Sequence, residues 1–422
     1  MTTQPCESSI RLIASPSRAE VEALRKMMLY CIDGFPTYQG LFCMAEINRG
    51  SISSGDPMAA LRRLSVIESD EVHSLSAEAM TTAGSIVDTE TSSGTSGGRK
   101  IRFITHDDNV AEHKFLAGLL AIAGVTRDDR VACLDTDPAA VMVSFPWACE
   151  LLGAAESYCV STGTGFDNCL RLLERLQPTV LVSVPSIIQR LLGADSGIKI
   201  ESIRAVVHIG EGMSQATRAR VATAFGAEVF SYYGSSETSA IGIECSAHAG
   251  VHLMSSRHVL EIDTDGHPDD VGELIVTTLD QQGLPLLRYR LGDLVRLRRG
   301  ACGCGLDDPR VDVLGRSEPF ASILGSKIHQ GALLSTLHSA GLEGPLQVVL
   351  STENRRDMMT LRVSDVNSYL EESMRKAVLV DHTDIEFLVA SGLLDIRFEL
   401  RPTRELLADR KSDRLIDLRG MT

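Results

Sequence analysis

Between Arg130 and Tyr232 one pattern repeats: a short apolar run, a segment with apolar residues at helical spacing, then another apolar run. The runs are Arg130 to Leu134, Thr179 to Val184, Ala205 to Ile209 and Glu228 to Tyr232. Leu170 to Leu176, Ile187 to Leu192 and Gln215 to Ala224 are the helical segments. Strands that are apolar on both faces and alternate with helices bury those faces in a parallel sheet covered on each side. Ligands of such sheets bind beyond the carboxyl ends of the strands. Two loops fall there, Gly210-Glu211-Gly212 and Tyr233 to Glu237.

Upstream, Val21, Leu24, Met27, Met28 and Cys31 predict a helix that Gly34-Phe35-Pro36 stops. Further helices are expected at Met58 to Val66 and at Ala111 to Ala123, the latter ended by Gly124. From Val259 the period shortens, and Val259 to Asp263 and Glu273 to Thr278 predict a small β subdomain. Beyond Gly315-Arg316, strands at Gln347 to Leu350, Met359 to Val363, Ile385 to Leu388 and Ile396 to Leu400, with a helix near Val366 to Ala377, predict a small α+β domain. A chain of 422 residues exceeds one ordinary core. The expected class is α/β, with a large domain over 1–314 and a smaller one over 315–422.

The stretch Thr91 to Lys100, T-S-S-G-T-S-G-G-R-K, interrupts this regularity with hydroxyls and glycines and lacks a large apolar side chain. Inward-turned backbone N–H groups and hydroxyls suit phosphate oxygens, and Lys100 adds a positive charge. A flexible Gly/Ser linker is the competing reading. The P-loop spacing G-x-x-x-x-G-K-[ST] is absent.

A net charge of −15 argues against nonspecific nucleic-acid or anionic-membrane partners, which need clustered Lys and Arg. Neither a secretory pattern at the N-terminus nor an apolar run of about 20 residues occurs, so a cytoplasmic protein is expected. Ten cysteines, nearly all scattered singly, do not form a disulfide framework.

Five stretches in this order resemble the adenylate-forming superfamily of acyl-CoA synthetases, and most closely its phenylacetate-CoA ligase-like branch. Ser92 to Lys100 resembles the S-S-G-T-T-G-x-P-K phosphate loop, with Arg99 where proline is usual. Tyr233 to Glu237 resembles Y-G-x-[ST]-E, and Tyr289 to Asp293 resembles Y-R-T-G-D with Leu291 for Thr. Gly315-Arg316 resembles the hinge, and Arg410 to Asp417 resembles G-K-x-x-R-V-x-D with Arg410 for Gly. The resemblance implies that Ser92, Ser93, Gly94, Thr95, Ser96, Gly97 and Lys100 hold ATP phosphates. It implies that Glu237 binds Mg2+, that Ser236 with Gly234 and Ser235 faces the α-phosphate, and that Tyr233 and Gly210-Glu211-Gly212 flank adenine. Asp293 would take the ribose hydroxyls and Arg316 would lie beside the ribose or phosphate. Lys411 would be the catalytic cation, carried by a C-terminal lid that rotates about a hinge at Glu318.

Cys302-Gly-Cys304 and Cys245 to His252 resemble two further segments of the same branch. They imply a structural zinc on Cys245, His252, Cys302 and Cys304, with His252 preferred to His248. Read on the residues alone, free thiols in a Gly-rich turn remain the alternative.

The implied activity is attack of a carboxylate on the α-phosphate of Mg-ATP, release of pyrophosphate, and transfer of the acyl group from the adenylate to coenzyme A or an acyl carrier protein. The branch favours aromatic acids, including a phenazine carboxylic acid in antibiotic biosynthesis, and Ser144 to Trp147 is a candidate aromatic wall. Adenylation without CoA transfer, nucleotide hydrolysis and a non-catalytic zinc-stabilised scaffold are the alternatives, and a homodimer stays open.

Overall fold

A computed structural model describes residues 9–69, 71–91, 100–135, 140–194, 200–268, 270–316, 320–323, 326–342, 344–353, 356–364, 368–401, 406 and 415–419. The chain divides into two compact units, the first of Met1–Ser92 with Lys100–Ser317 and the second built on Glu318–Thr422.

The first unit opens with β1 (Ile10–Leu12) and five helices, α1 (Arg18–Gly34), α2 (Pro36–Met44), α3 (Arg49–Ser54), α4 (Pro57–Arg63) and α5 (Glu71–Thr82). Helix α1 starts on a capping box, in which Ser17 Oγ accepts from the Glu20 N–H and the Glu20 carboxylate accepts from the Ser17 N–H. Its face of Leu24, Met27, Met28 and Cys31 is buried in one core with Tyr38, Phe42, Leu274, Val276 and Leu286. Tyr38 is fully buried and its hydroxyl is satisfied at both ends, donating to the Pro285 carbonyl at 2.8 Å and accepting from the Leu287 N–H at 2.9 Å.

A hairpin of β2 (Ile86–Thr91) and β3 (Ile101–Thr105) leads into α6 (His106–Ile122). The alternating region follows as β4 (Arg130–Asp135), α7 (Ala140–Leu152), β5 (Glu156–Ser161), α8 (Phe166–Leu176), β6 (Val180–Ser183), α9 (Pro185–Leu192), β7 (Ala205–His208), α10 (Gln215–Phe225) and β8 (Glu228–Ser235). Next come β9 (Ser239–Glu244), β10 (Val251–Leu253), β11 (His258–Asp263), β12 (Val271–Thr278), β13 (Tyr289–Arg298) and β14 (Arg310–Arg316). All but the β2–β3 hairpin join one twelve-stranded sheet, in the order β1-β11-β12-β13-β14-β10-β9-β8-β7-β6-β4-β5. Strands β4 to β8 pair in parallel; β4, β6 and β7 are buried along nearly their whole length, as two covered faces require, whereas β5 at the sheet edge is mostly exposed. The alternating strands after Val259 extend the same sheet, because β8 is parallel to β7 on one edge and antiparallel to β9 on the other.

The second unit has an antiparallel pair, β15 (Phe320–Ile323) and β16 (Ser326–His329), then α11 (Gln330–Ser339), β17 (Leu346–Glu353), β18 (Arg356–Val363), α12 (Ser368–Asp381), α13 (Thr383–Ala390), β19 (Leu394–Leu400) and β20 (Leu415–Asp417). Its four-stranded sheet runs β19-β18-β17-β20. The strand expected at Ile385 to Leu388 is helix α13 instead. Ile385 and Leu388 are buried while Glu386 and Phe387 between them are exposed, which is helical spacing; four apolar-rich residues are too few to fix the period.

Candidate active site

Thr91 and Ile101 are cross-strand partners in the β2–β3 hairpin, so the Ser/Gly segment connects the two strands. One pair further from the connection, Glu90 stands opposite Arg102. The Arg102 guanidinium is almost wholly buried and donates to both Glu90 and Glu112 of α6, tying the connected end of the hairpin to the helix.

Lys100 immediately precedes β3, and Arg102 is the second residue of that strand. Lys100 turns to a different carboxylate: its Nζ donates to Glu237 Oε1 at 3.0 Å and to the Tyr289 hydroxyl at 2.9 Å. Glu237 sits in the turn between β8 and β9, and the Tyr289 hydroxyl approaches the same carboxylate oxygen at 3.5 Å. Both charged side chains are only 9% exposed, so the pair is screened little by water. Gln281 Nε2 donates to the Glu237 carbonyl at 2.8 Å, and Ser235 Oγ accepts from the Thr238 N–H across the turn. The turn requires Gly234, because a Cβ there would meet the Ser239 carbonyl oxygen at 2.4 Å.

The Tyr233 hydroxyl donates to Asp293 Oδ2 at 2.7 Å. Asp293 pairs with Arg316 in the β13–β14 ladder, which puts three motif residues at one end of these strands; the Arg316 side chain lies outside the described ones. His208, the last residue of β7, is the register partner of Ser231 in β8, and Gly210-Glu211-Gly212 begins two residues after His208. The Glu211 carboxylate accepts from the Ser186 N–H at 3.0 Å and the Ser186 hydroxyl at 2.7 Å, at the start of α9. His208 Nε2 lies 2.9 Å from Ser231 Oγ, and burial, reinforced by the Arg218 charge, pushes His208 down to about 4.

Phe145 of α7 is buried and meets the Tyr232 ring edge-on at 5.6 Å. Trp147, by contrast, is exposed and stacks on His113 of α6 at 5.7 Å. The segment Ser144 to Trp147 thus splits between an interior and a surface aromatic contact.

Cys245, His252, Cys302 and Cys304 come together, with their ligand atoms all within 4.8 Å of one another. Cys245 follows β9, His252 lies in β10, and the two other cysteines lie between β13 and β14. Cys245 and Cys302 sulfurs are 3.6 Å apart, and Cys304 Sγ is 3.4 Å from His252 Nε2. Zinc bond lengths of about 2.3 Å to sulfur and about 2.0 Å to nitrogen give tetrahedral edges of about 3.7 and 3.5 Å, so the four can hold such an ion. The Cys304 backbone N–H holds the Cys302 thiol below the ordinary thiol range. His248 turns elsewhere, its Nδ1 lying 2.9 Å from Arg218.

Ser92, Ser93, Gly94, Thr95, Ser96, Gly97, Glu318 and Lys411 lie outside the described residues.

The family model described as AMP-binding enzyme matches residues 55–278, more than half of the chain. The chain belongs to the AMP-binding enzyme family. Among this family's curated members it resembles phenylacetate-coenzyme A ligase of Thermus thermophilus, 29% identical over 49% of each chain. It also resembles indoleacetate–lysine synthetase of Pseudomonas savastanoi, 27% identical over 70% of this chain and 74% of that protein. The chain spans about half the length of the phenylacetate ligases it matches. A solved 2-hydroxyisobutyryl-CoA ligase, in complex with 2-HIB-AMP and CoA, shares the fold, with a TM-score of 0.77 and 19% identity over 96% of this chain and 90% of that one.

Of the residues the motifs name, the structure brings Lys100 to Glu237 and Tyr233 to Asp293; the motifs do not name Tyr289 as a partner of Lys100, nor the contacts of Arg102, Glu112, His208 and Gln281. Tyr289 was in plain view as the first residue of the Y-R-L-G-D stretch. The others belong to no motif and are defined by a side-chain contact, over 10 residues for Arg102 and Glu112 and over 44 for Gln281 and Glu237.

Proposed function

We propose that the protein activates a carboxylic acid with ATP, forming an acyl-adenylate and releasing pyrophosphate. The observation that carries this reading is the assembly of Lys100, Glu237 and Tyr289, with the Tyr233–Asp293 bond, from motifs scattered over the chain. Asp293 would accept from the ribose hydroxyls, Tyr233 and Gly210 to Gly212 would flank adenine, and Ser236 would face the α-phosphate. Catalysis of this kind rests on positioning and charge neutralisation rather than on a covalent enzyme intermediate.

Glu237 suits Mg2+ because a carboxylate is a hard oxygen ligand, and the ammonium 3.0 Å from it is a stand-in for a cation there. When bound, Mg2+ would offset charge on the phosphates. Lys411 is proposed as the second cation of adenylation; Lys411→Ala should abolish adenylate formation while sparing thiolysis of a supplied acyl-adenylate. A structural zinc on Cys245, His252, Cys302 and Cys304 would tie β9 and β10 to the β13–β14 connection, and four protein ligands leave no open position for water.

The acid is proposed to be aromatic, on the Phe145–Tyr232 contact and the phenylacetate- and indoleacetate-named relatives. Coenzyme A or a carrier thiol is the favoured acceptor. An amine is the second reading, supported by the longer match to a lysine-conjugating synthetase. Acid-dependent ATP–pyrophosphate exchange over aryl and aliphatic acids tests the reaction, followed by product analysis with coenzyme A or lysine. Phosphate release without an acid would instead indicate a hydrolase.

A further inference from the structure

We propose that Lys100 is the resident counter-ion of Glu237, which keeps a divalent cation off that carboxylate until the cation arrives with nucleotide. This rests on the reading of Glu237 as a magnesium ligand. The two side chains form a buried pair, and Lys100 Nζ occupies the oxygen, Glu237 Oε1, at 3.0 Å. An ammonium and a hard dication want the same lone pairs, and two cations held together in a water-poor site repel. One of them must give way.

The surroundings decide which group moves. Glu237 is fixed by its backbone, through the Gln281 amide at 2.8 Å and the Ser235–Thr238 contacts of a turn closed around Gly234. Lys100 is the residue just before β3, and its charge rides on a four-carbon stem whose ammonium forms hydrogen bonds in many directions. Arg102, two residues on, is committed to Glu90 and Glu112 and does not substitute for it. Tyr289 accepts from the ammonium at 2.9 Å and so holds it in place in the resting pair. Nucleotide phosphates bring the negative charge that makes departure of Lys100 from Glu237 favourable. Metal binding thereby becomes conditional on nucleotide, a coupling between two ligands that must be reciprocal.

The test uses Mn2+ as the probe, with free ion read by electron paramagnetic resonance, on the full chain with and without α,β-methylene-ATP. Wild-type protein should bind Mn2+ about tenfold or more weakly without the analogue than with it. Lys100→Gln should tighten nucleotide-free Mn2+ binding by about tenfold or more, and Glu237→Gln in that background should remove the gain. Tyr289→Phe, which loosens the ammonium without changing charge, should give a smaller gain in the same direction and serves if Lys100→Gln does not fold. Unchanged nucleotide-free Mn2+ binding in the folded variants, beside an intact Glu237-dependent Mn2+–nucleotide complex in wild type, overturns the counter-ion role alone. Absence of any Mn2+–nucleotide complex in wild type overturns the adenylation reading beneath it.

Discussion

Tyr233 donates its hydroxyl proton to Asp293 Oδ2 at 2.7 Å, joining the end of β8 to β13. Since β8 is the strand at which the sheet changes from parallel to antiparallel pairing, the bond spans the two halves of the first unit's sheet. A hydroxyl bonded to a carboxylate is a charge-assisted contact, and it fixes the direction in which Asp293 presents its oxygens.

Losing such a bond to a charged group costs about 1.5–3 kcal/mol. Tyr233→Phe should therefore weaken ATP binding about tenfold or more by releasing Asp293, and Asp293→Asn should do so by removing an acceptor. Calorimetric titration with ATP reads both. Unchanged affinity in the two variants would detach this bond from the nucleotide. Glu237→Gln, in contrast, should slow pyrophosphate exchange while leaving the fold intact.

For the cysteine–histidine cluster, elemental analysis of purified protein should find zinc, and a chelator should lower the melting temperature. Cys304→Ser should reduce thermal stability more than it changes ATP affinity, since the proposed zinc would tie strands together and the proposed nucleotide contacts lie on other residues. Metal-free protein whose three cysteines all titrate as free thiols would refute the assignment.

Stability should fall in mild acid. Burial, the dominant cause for each, pushes His208 and His258 from an ordinary 6.5 down to about 4, with the charges of Arg218 and Arg257 acting in the same direction. Between those values the unfolded chain holds protons that the folded chain excludes, so stability drops as pH falls from 6.5 towards 4 and is unaffected by these groups above 6.5. Each such group contributes a slope of about 1.4 kcal/mol per pH unit at most. Urea unfolding across this range should show the decline, and His208→Asn with His258→Asn should flatten it. An identical slope in the double variant would assign the decline to other groups.

The central parallel strands were legible because β4, β6 and β7 are apolar on both faces, whereas β5 at the edge is mostly exposed and went unread. The strand in place of α13 was misread because Ile385 and Leu388 carry too short a pattern to separate helix from strand. Helix α2 went unread because Pro36 looked like a stop, whereas a proline in the first turn also starts a helix. At the site, motifs name residues without their partners. Glu237 is readable in Y-G-S-S-E, yet its pairing with Lys100 across 137 positions is a product of topology. Arg102 shows the same limit: a single arginine in I-R-F-I-T reads as a surface charge until α6 brings Glu112 onto it.

That arginine supports a last prediction. Arg102 is 3% exposed and shared between Glu90 across the hairpin and Glu112 of α6. Removing one member of a buried ion pair typically costs about 3–5 kcal/mol, because the partner keeps its desolvation penalty and loses its compensation. Arg102→Met should therefore be strongly destabilising, since it leaves two carboxylates facing each other. Glu112→Gln should cost less, because Glu90 still neutralises the guanidinium. The double variant Arg102→Met with Glu112→Gln should be more stable than Arg102→Met alone, since it removes one of the two stranded charges. Denaturant unfolding of the set, read as a double-mutant cycle, gives the coupling directly. If the two single costs simply add, Arg102 and Glu112 act independently and their pair does not hold the hairpin to α6.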